Sequence, residues 1–173
     1  LIIRQATSDD VFLIFDLYLQ VTAQDHGLAR SFQEINLEYI CHFSERAQKK
    51  GIQLVLNNPQ NPNQILGEIH AYPSEANVFK HVLSDVTLVI HPSIHNQGWG
   101  RRLFQKLIDC VIEEYPNIFR IELFCRESNS RAIKLYEQLG FEQEGRFENR
   151  IYLDATNFEA DIPMAWIRSR FSM

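Results

Sequence analysis

LVIHPSIHNQGWGRRLF, residues 88–104, is the stretch whose reading decides the fold. The apolar run Val86, Leu88, Val89, Ile90 stops at His91-Pro92, and a polar loop leads to Gly98-Trp99-Gly100. Beyond it Leu103, Phe104, Leu107, Ile108, Val111 and Ile112 recur at helical spacing. The stretch therefore reads as strand, glycine-containing loop, helix. A helix N-terminus offers unbonded N–H groups and the positive end of its dipole, so it can hold an anion such as a phosphate. Gly98 and Gly100 would let backbone and ligand approach with no Cβ between them. Arg101 and Arg102 add positive charge to the first turn, which costs stability against the dipole unless an anion sits there. The same strand–loop–helix pattern also occurs in α/β proteins without a phosphate. The dinucleotide fingerprint is excluded, because its third glycine is missing and position 103 is Leu. A Walker P-loop is excluded too, since no Gly-Lys-Ser/Thr follows.

The bounds around this stretch are ordinary for a soluble globular protein. The chain of 173 residues can build one domain with a real core, and 45% hydrophobic and 23% charged residues fit that class. Net charge is −5, and no Lys/Arg block stands out, so nucleic acid is not expected as a partner. No run of about 18 apolar residues and no signal peptide are visible, so no membrane is expected. Cys41, Cys110 and Cys125 make neither a disulfide framework nor a zinc pattern. Each lies in an apolar-periodic segment and is expected to be a buried thiol, which suggests a reducing, cytoplasmic setting. No metal site is expected. The chain opens directly into a strand without Met, so the true N-terminus is expected upstream.

Read in order, residues 1–6 form a first strand, Thr7 to Asp10 a cap cluster, and Val11 to Tyr18 an apolar helix. Thr22 to Arg30 reads as a loop broken at Gly27. Ser31 is placed to cap a second helix carrying Phe32, Ile35, Tyr39, Ile40 and Phe43 on one face, closed by Gly51. His26 and His42 lack partners at metal-ligand spacing and read as surface or half-packed histidines. Ile52 to Asn57 and Ile65 to Tyr72 read as strands joined by a turn-rich linker. Alternation puts Glu68 and His70 on one face of the second strand. In the strand from His81 to Ile90, Asp85 and Thr87 share one face and Ser84, Val86, Leu88 and Ile90 the other, if no bulge intervenes. After the long helix come a strand over Ile118 to Cys125, a helix capped by Ser128-Asn129-Ser130 and ended by Gly140, and a strand starting at Phe141. A terminal hairpin, Glu148 to Leu153 with Phe158 to Ile167, completes the chain. No repeat or domain boundary is visible, and residues 1–173 are expected to form a single domain.

Two segments then combine. His95-Asn96-Gln97-Gly98-Trp99-Gly100 resembles the pyrophosphate loop of the GNAT superfamily of N-acetyltransferases: Arg or Gln, two residues, Gly, any residue, Gly or Ala. The departure is His95 in place of Arg or Gln, at a loop where that family uses mainly backbone N–H groups. Asn129 to Phe141 resembles the family's second motif: Asn, two residues, Ala, two residues, Leu-Tyr, three residues, Gly-Phe. It fits at every fixed position. The order of elements matches along nearly the whole chain. The resemblance implies an α/β fold with a mixed, mostly antiparallel sheet of about seven strands and four helices. That sheet splays between its fourth and fifth strands.

The resemblance also implies direct acyl transfer from acetyl-CoA to an amine acceptor, with no covalent enzyme species. The chemistry needs a neutral amine, a polarised carbonyl and a proton for the departing thiolate. By motif position, Tyr136 would be the general acid, and Asn129 would contact the cofactor arm. Tyr136 also fits a packed helix stripe, and Asn129 a plain helix cap. Backbone groups near Val89, Ile90 and His91 would pair with the pantetheine arm. The loop His95, Asn96, Gln97, Gly98, Trp99, Gly100 and Arg101 would hold the pyrophosphate. For the base, Asp85, His70 and Glu68 all compete, as does the absence of any protein base. The acidic balance favours a cationic acceptor, a small molecule or peptide. A non-catalytic acyl-CoA sensor or interaction module is the alternative, and the terminal hairpin leaves monomer or homodimer open.

Overall fold

The computed structural model describes residues 1–23, 28 and 30–168. The expectations at His26 and Gly27 lie outside the described residues. A single mixed sheet organises the rest, in the order β1-β2-β3-β4-β5-β8-β6, with β7 also pairing β8. The strands are β1 (Ile2–Gln5), β2 (Ile52–Asn57), β3 (Ile65–Tyr72), β4 (Val82–Ile90), β5 (Arg120–Arg126), β6 (Glu142–Gln143), β7 (Phe147–Asp154) and β8 (Asn157–Ile167). The helices are α1 (Val11–Thr22), α2 (Leu37–Lys50), α3 (Trp99–Glu114) and α4 (Ser130–Gln138). Every pairing is antiparallel except β4–β5. The eighth strand beyond the expected seven is the two-residue β6. It borders β8 at Met164 and Ala165, while β7 takes the same edge nearer the β8 start.

Strand alternation sorts the core into two layers. Ile52, Leu54, Ile69, Ala71, Leu83 and Ile121 face α3, whose Leu103, Phe104, Leu107, Ile108 and Val111 are buried against them. Val55, Ile65, Tyr72 and Val89 face α1 and α2, meeting Ile14, Leu17, Tyr18, Ile40 and Phe43. Burying each large apolar side chain is worth about 1.5–3 kcal/mol. Among the described residues no helix is long and apolar enough to cross a membrane.

Local chemistry explains most element ends, and several expectations need correcting. α1 runs past Tyr18 to Thr22, because Val21 still packs on the core. Ser31 caps a 3-10 turn over Phe32–Glu34, not α2. The Glu34 carboxylate accepts from its N–H and hydroxyl at 2.7 Å. Asn36 caps α2 instead, its Oδ1 accepting from the Tyr39 N–H at 2.9 Å. Gly51 does close α2, but at φ −136°. It is needed because a Cβ would collide with the Ala71 carbonyl of β3. Gly140, at φ +88°, ends α4 in the left-handed region. All three cysteines are free, but Cys41 is only half-buried, on the α2 flank rather than its core stripe. The strand expected from Phe141 shrinks to β6.

Candidate active site

Strands β4 and β5 pair only at Val82–Arg120 and Leu83–Ile121, and beyond that point they part. From there to Ile90 the far edge of β4 has no strand partner among the described residues. In an antiparallel ladder consecutive residues turn their N–H and C=O groups to opposite sides. The His91 N–H donates to the Leu66 carbonyl at 2.9 Å, and Val89 opposes Glu68 in the same phase. Val89 and His91 are therefore spent on β3. Ile90 and, two residues earlier, Leu88 turn theirs to the open edge. Of the three positions expected there, Ile90 alone lies on the open side, and Leu88 joins it. The Ile90 carbonyl already accepts from the His95 ring at 2.9 Å.

The loop after β4 ends in a helix built without a capping side chain. His91 opens a 3-10 turn over Pro92–Ile94. Its ring accepts from the Ser93 hydroxyl at 2.7 Å and meets the Gln20 amide oxygen of α1 at 2.8 Å. Burial, then the neighbouring His95, holds the His91 pKa below its usual value. Asn96 (φ 61°) and Gly98 (φ 79°) are both left-handed, and Gln97 bonds the Ser93 carbonyl. Gly98 is the N-cap of α3. The first bond of that helix runs from the Arg102 N–H to the Gly98 carbonyl at 3.1 Å. The N–H groups of Trp99, Gly100 and Arg101 precede it and have no acceptor among the described residues. Gly98 is open on every side, whereas a Cβ at Gly100 would make ordinary contacts with Ile90 and Leu88 at 3.6 and 3.7 Å. The conformational need for glycine thus sits at Gly98. Arg101 is exposed, and Arg102 stacks on the Trp99 ring at 4.7 Å. Free donors, a left-handed glycine and a nearby open strand edge fit a pyrophosphate and its extended arm.

Tyr136 approaches the parting strands from the α3–α4 side. Its ring packs on Phe104 and Phe141 at 5.5 and 6.0 Å. Burial raises its pKa, with a smaller push from Cys125, so the hydroxyl holds its proton. Both readings of Asn129 begin from one fact: its Oδ1 accepts from the Ala132 N–H at 3.1 Å, capping α4.

On the opposite layer lies a buried polar cluster. Glu68 is fully buried and His70 is 2% exposed. Glu68 accepts from the Tyr18 hydroxyl at 2.9 Å and the Gln53 amide at 3.0 Å, and meets His70 Nδ1 at 3.0 Å. Gln53 is held in turn by Ser44 and Gln48, at 3.0 and 2.9 Å. His70 lies between the rings of Phe43 (4.0 Å) and Tyr72 (5.9 Å), nearly parallel to both. A carboxylate surrounded by donors assigns the His70 proton to Nδ1 and leaves Nε2 as an acceptor. Nε2 has no hydrogen bond among the described residues. Tyr18, Ser44 and Gln53 were not legible as site residues. The available signals were a tyrosine inside a very apolar helix and a glutamine inside an apolar strand.

Asp85 stands on the bulge that the alternation of β4 left open. His70 opposes Thr87 but Tyr72 opposes Ser84, so β4 carries one extra residue there. Asp85 takes up the kink at φ 51°. Parity therefore flips: Leu83 and Val86 both pack toward α3, and strict alternation fails. A cavity of about 300 Å³ fills the space where β4 and β5 separate. His70, Tyr72, Asp85 and Thr87 line it, with Tyr39 of α2 and Phe124 of β5. Glu68 does not; it sits behind His70. Among the described residues no group of His, Cys, Asp and Glu could hold a metal ion.

The family model for the acetyltransferase (GNAT) family matches residues 20–141. The [ribosomal protein bS18]-alanine N-acetyltransferase of Salmonella typhimurium is 37% identical over 87 residues, 49% of this chain. The match spans only 57% of that relative's length. A GNAT-family acetyltransferase from Streptococcus pneumoniae superposes with a TM-score of 0.85 at 20% identity, covering 96% of this chain and 99% of that one. YncA of Salmonella typhimurium, solved with its cofactor acetyl-CoA, gives 0.81 at 17% identity, over 99% of this chain and 96% of that one. At such identities the two structures speak for the fold alone. The family match covers both the glycine loop and the α4 motif, and the chain belongs to the acetyltransferase (GNAT) family.

Proposed function

We propose that the protein transfers an acetyl group from acetyl-CoA directly to a primary amine. The observation that carries this reading is the splay of β4 from β5. It leaves an open strand edge near the α3 N-terminus and a cavity faced by His70. The Trp99, Gly100 and Arg101 N–H groups hold the pyrophosphate, and the backbone of Leu88 and Ile90 receives the extended arm. Acetyl-CoA supplies the acetyl group as a thioester.

His70 Nε2 takes the proton from the amine. Glu68 does not touch substrate; it fixes the His70 tautomer and stabilises the imidazolium once formed. That arrangement favours His70 over Glu68 and Asp85 as the base. Asp85, exposed beside the cavity, receives the amine as an ammonium. Tyr136 donates to the leaving sulfur. Because its pKa lies above 10 and that of a thiol near 8.5, full transfer is uphill. Tyr136 therefore acts first as a hydrogen-bond donor to the developing thiolate. Asn129 keeps its capping bond and turns its amide nitrogen toward the arm.

The test is calorimetric titration with acetyl-CoA, CoA and dephospho-CoA, followed by a thiol-release assay over a panel of amines. Saturable binding with amine-dependent thiol release is the expected result. Binding without release from any amine would favour a non-catalytic acyl-CoA sensor. No binding would overturn the reading.

A further inference from the structure

The cavity at the splay carries charges of both signs that leave each other alone. Arg30, before α2, and Asp85, on the β4 bulge, both line it. No ion pair joins them among the described residues. The Arg30 guanidinium lies over the Tyr39 ring at 4.2 Å and also hydrogen-bonds that tyrosine's hydroxyl, a use of part of its five N–H donors that leaves others for a carboxylate. Asp85 makes no side-chain hydrogen bond among the described residues, and its backbone is held left-handed at φ 51°. Burial is the largest influence on the Tyr39 and Tyr72 hydroxyls and pushes both up; Arg30 pulls Tyr39 down, with Glu68 and then Asp85 pushing it up, while Asp85 pushes Tyr72 up and Arg46, ahead of Arg30, pulls it down. Beside His70 and Thr87, the wall also carries an apolar patch from Ile35, Val86 and the half-exposed Phe124. At about 300 Å³ the space is at the small end for ligand sites.

We propose that the acceptor is a zwitterion, a free amino acid with an apolar side chain. Its ammonium faces Asp85 and His70, its carboxylate faces Arg30, and its body lies between Tyr39, Tyr72 and Phe124. This rests on the acetyl-transfer reading and narrows it. A purely cationic amine would satisfy Asp85 and meet repulsion from Arg30. A guanidinium binds a carboxylate through two parallel N–H donors. In the balanced step the amine nitrogen forms the amide bond and the carbonyl–sulfur bond breaks. The ammonium first gives one proton to His70 Nε2 and so frees the nitrogen lone pair; after the attack the nitrogen's second surplus proton passes to the departing sulfur, so the products are the amide, the CoA thiol and a protonated His70.

The experiment compares phenylalanine, phenylalanine amide and phenethylamine as acceptors at saturating acetyl-CoA. The same three are titrated calorimetrically into the CoA-saturated protein, a readout that needs no turnover. Phenylalanine is expected to exceed the other two at least 10-fold in kcat/KM and in affinity. In Arg30→Gln that preference collapses toward one, mainly through KM; in Arg30→Lys part of it returns. Equal use of all three acceptors, or a preference unchanged in Arg30→Gln, overturns the proposal. So does better use of the amide, which would point to peptide N-termini. Failure of acetyl-CoA to bind would show separately, in its own titration, and would sink the acetyl-transfer reading instead.

Discussion

The two sides of β4 are built from different materials. On one side the site consists of main chain: the Leu88 and Ile90 edge, left-handed Gly98, and the first N–H groups of α3. On the other it consists of side chains gathered from four elements: Tyr18 of α1, Ser44 of α2, Gln53 of β2, and Glu68 with His70 of β3. The first asks of the sequence only that it make a strand, a turn and a helix with glycine where φ is positive. The second asks for particular functional groups. A buried carboxylate costs several kcal/mol unless its partners converge on it. The contrast predicts that variants on one side alter cofactor affinity and variants on the other alter turnover, with little crossover.

His70→Ala is the hardest test of that division. Turnover should fall about 100- to 10,000-fold, the span of general-base catalysis, while acetyl-CoA affinity by calorimetry stays within twofold. Loss of both together would join the two regions into one. Gly98→Asp comes next. A left-handed aspartate at the helix N-terminus places its charge against an anion, so CoA affinity should fall about 100-fold, while its backbone strain, partly offset by capping the free α3 N–H groups, should lower the unfolding temperature by only a few degrees. Gly100→Ala, whose Cβ makes only ordinary contacts, should cost less than about threefold. Equal damage at the two glycines would reject the distinction between them.

Tyr136→Phe should lower kcat about 10-fold or more without weakening acetyl-CoA binding. Because burial raises the Tyr136 pKa above 10, no alkaline fall in kcat from this group is expected below pH 10. A Tyr136-dependent limb near pH 8 would contradict its burial. The smallest effect concerns His91, which ties the loop to α1 through Gln20. Its pKa is depressed when folded, so the unfolded chain takes up the proton first as pH falls. Its contribution to stability is complete above about pH 6.5 and is lost as pH drops through the lower folded value. The unfolding-temperature gap between wild type and His91→Gln should therefore narrow from pH 7.5 to pH 5. A gap that widened would reverse the sign.

Local pattern carried much of the fold. The bounds of β2 and β3 follow directly from apolar runs between turn residues, and Gly140 lies in the left-handed region expected of a helix-ending glycine. Failures arose where two local solutions compete. Ser31 and Asn36 are both good caps, and the chain uses Ser31 on a 3-10 turn. At Asp85 alternation alone could not reveal one extra residue, because a bulge is defined by the partner strand. The same lack of a partner hid which β4 carbonyls face outward, so Val89 and His91 could not be told from Leu88 and Ile90.

By itself, then, the sequence determined the elements, the glycine loop with its helix, and the α4 motif. These depend on φ preference, capping and periodicity over a few residues. Only the tertiary structure decided that Glu68 and His70 form one unit with Tyr18 and Gln53, or that Arg30 and Asp85 share a cavity. Residues some 50 apart, such as Tyr18 and Glu68, meet because helices α1 and α2 pack across the sheet face. No local propensity encodes that meeting. It follows from burying apolar surface on the two helices, which carries the polar groups inward and obliges them to find one another.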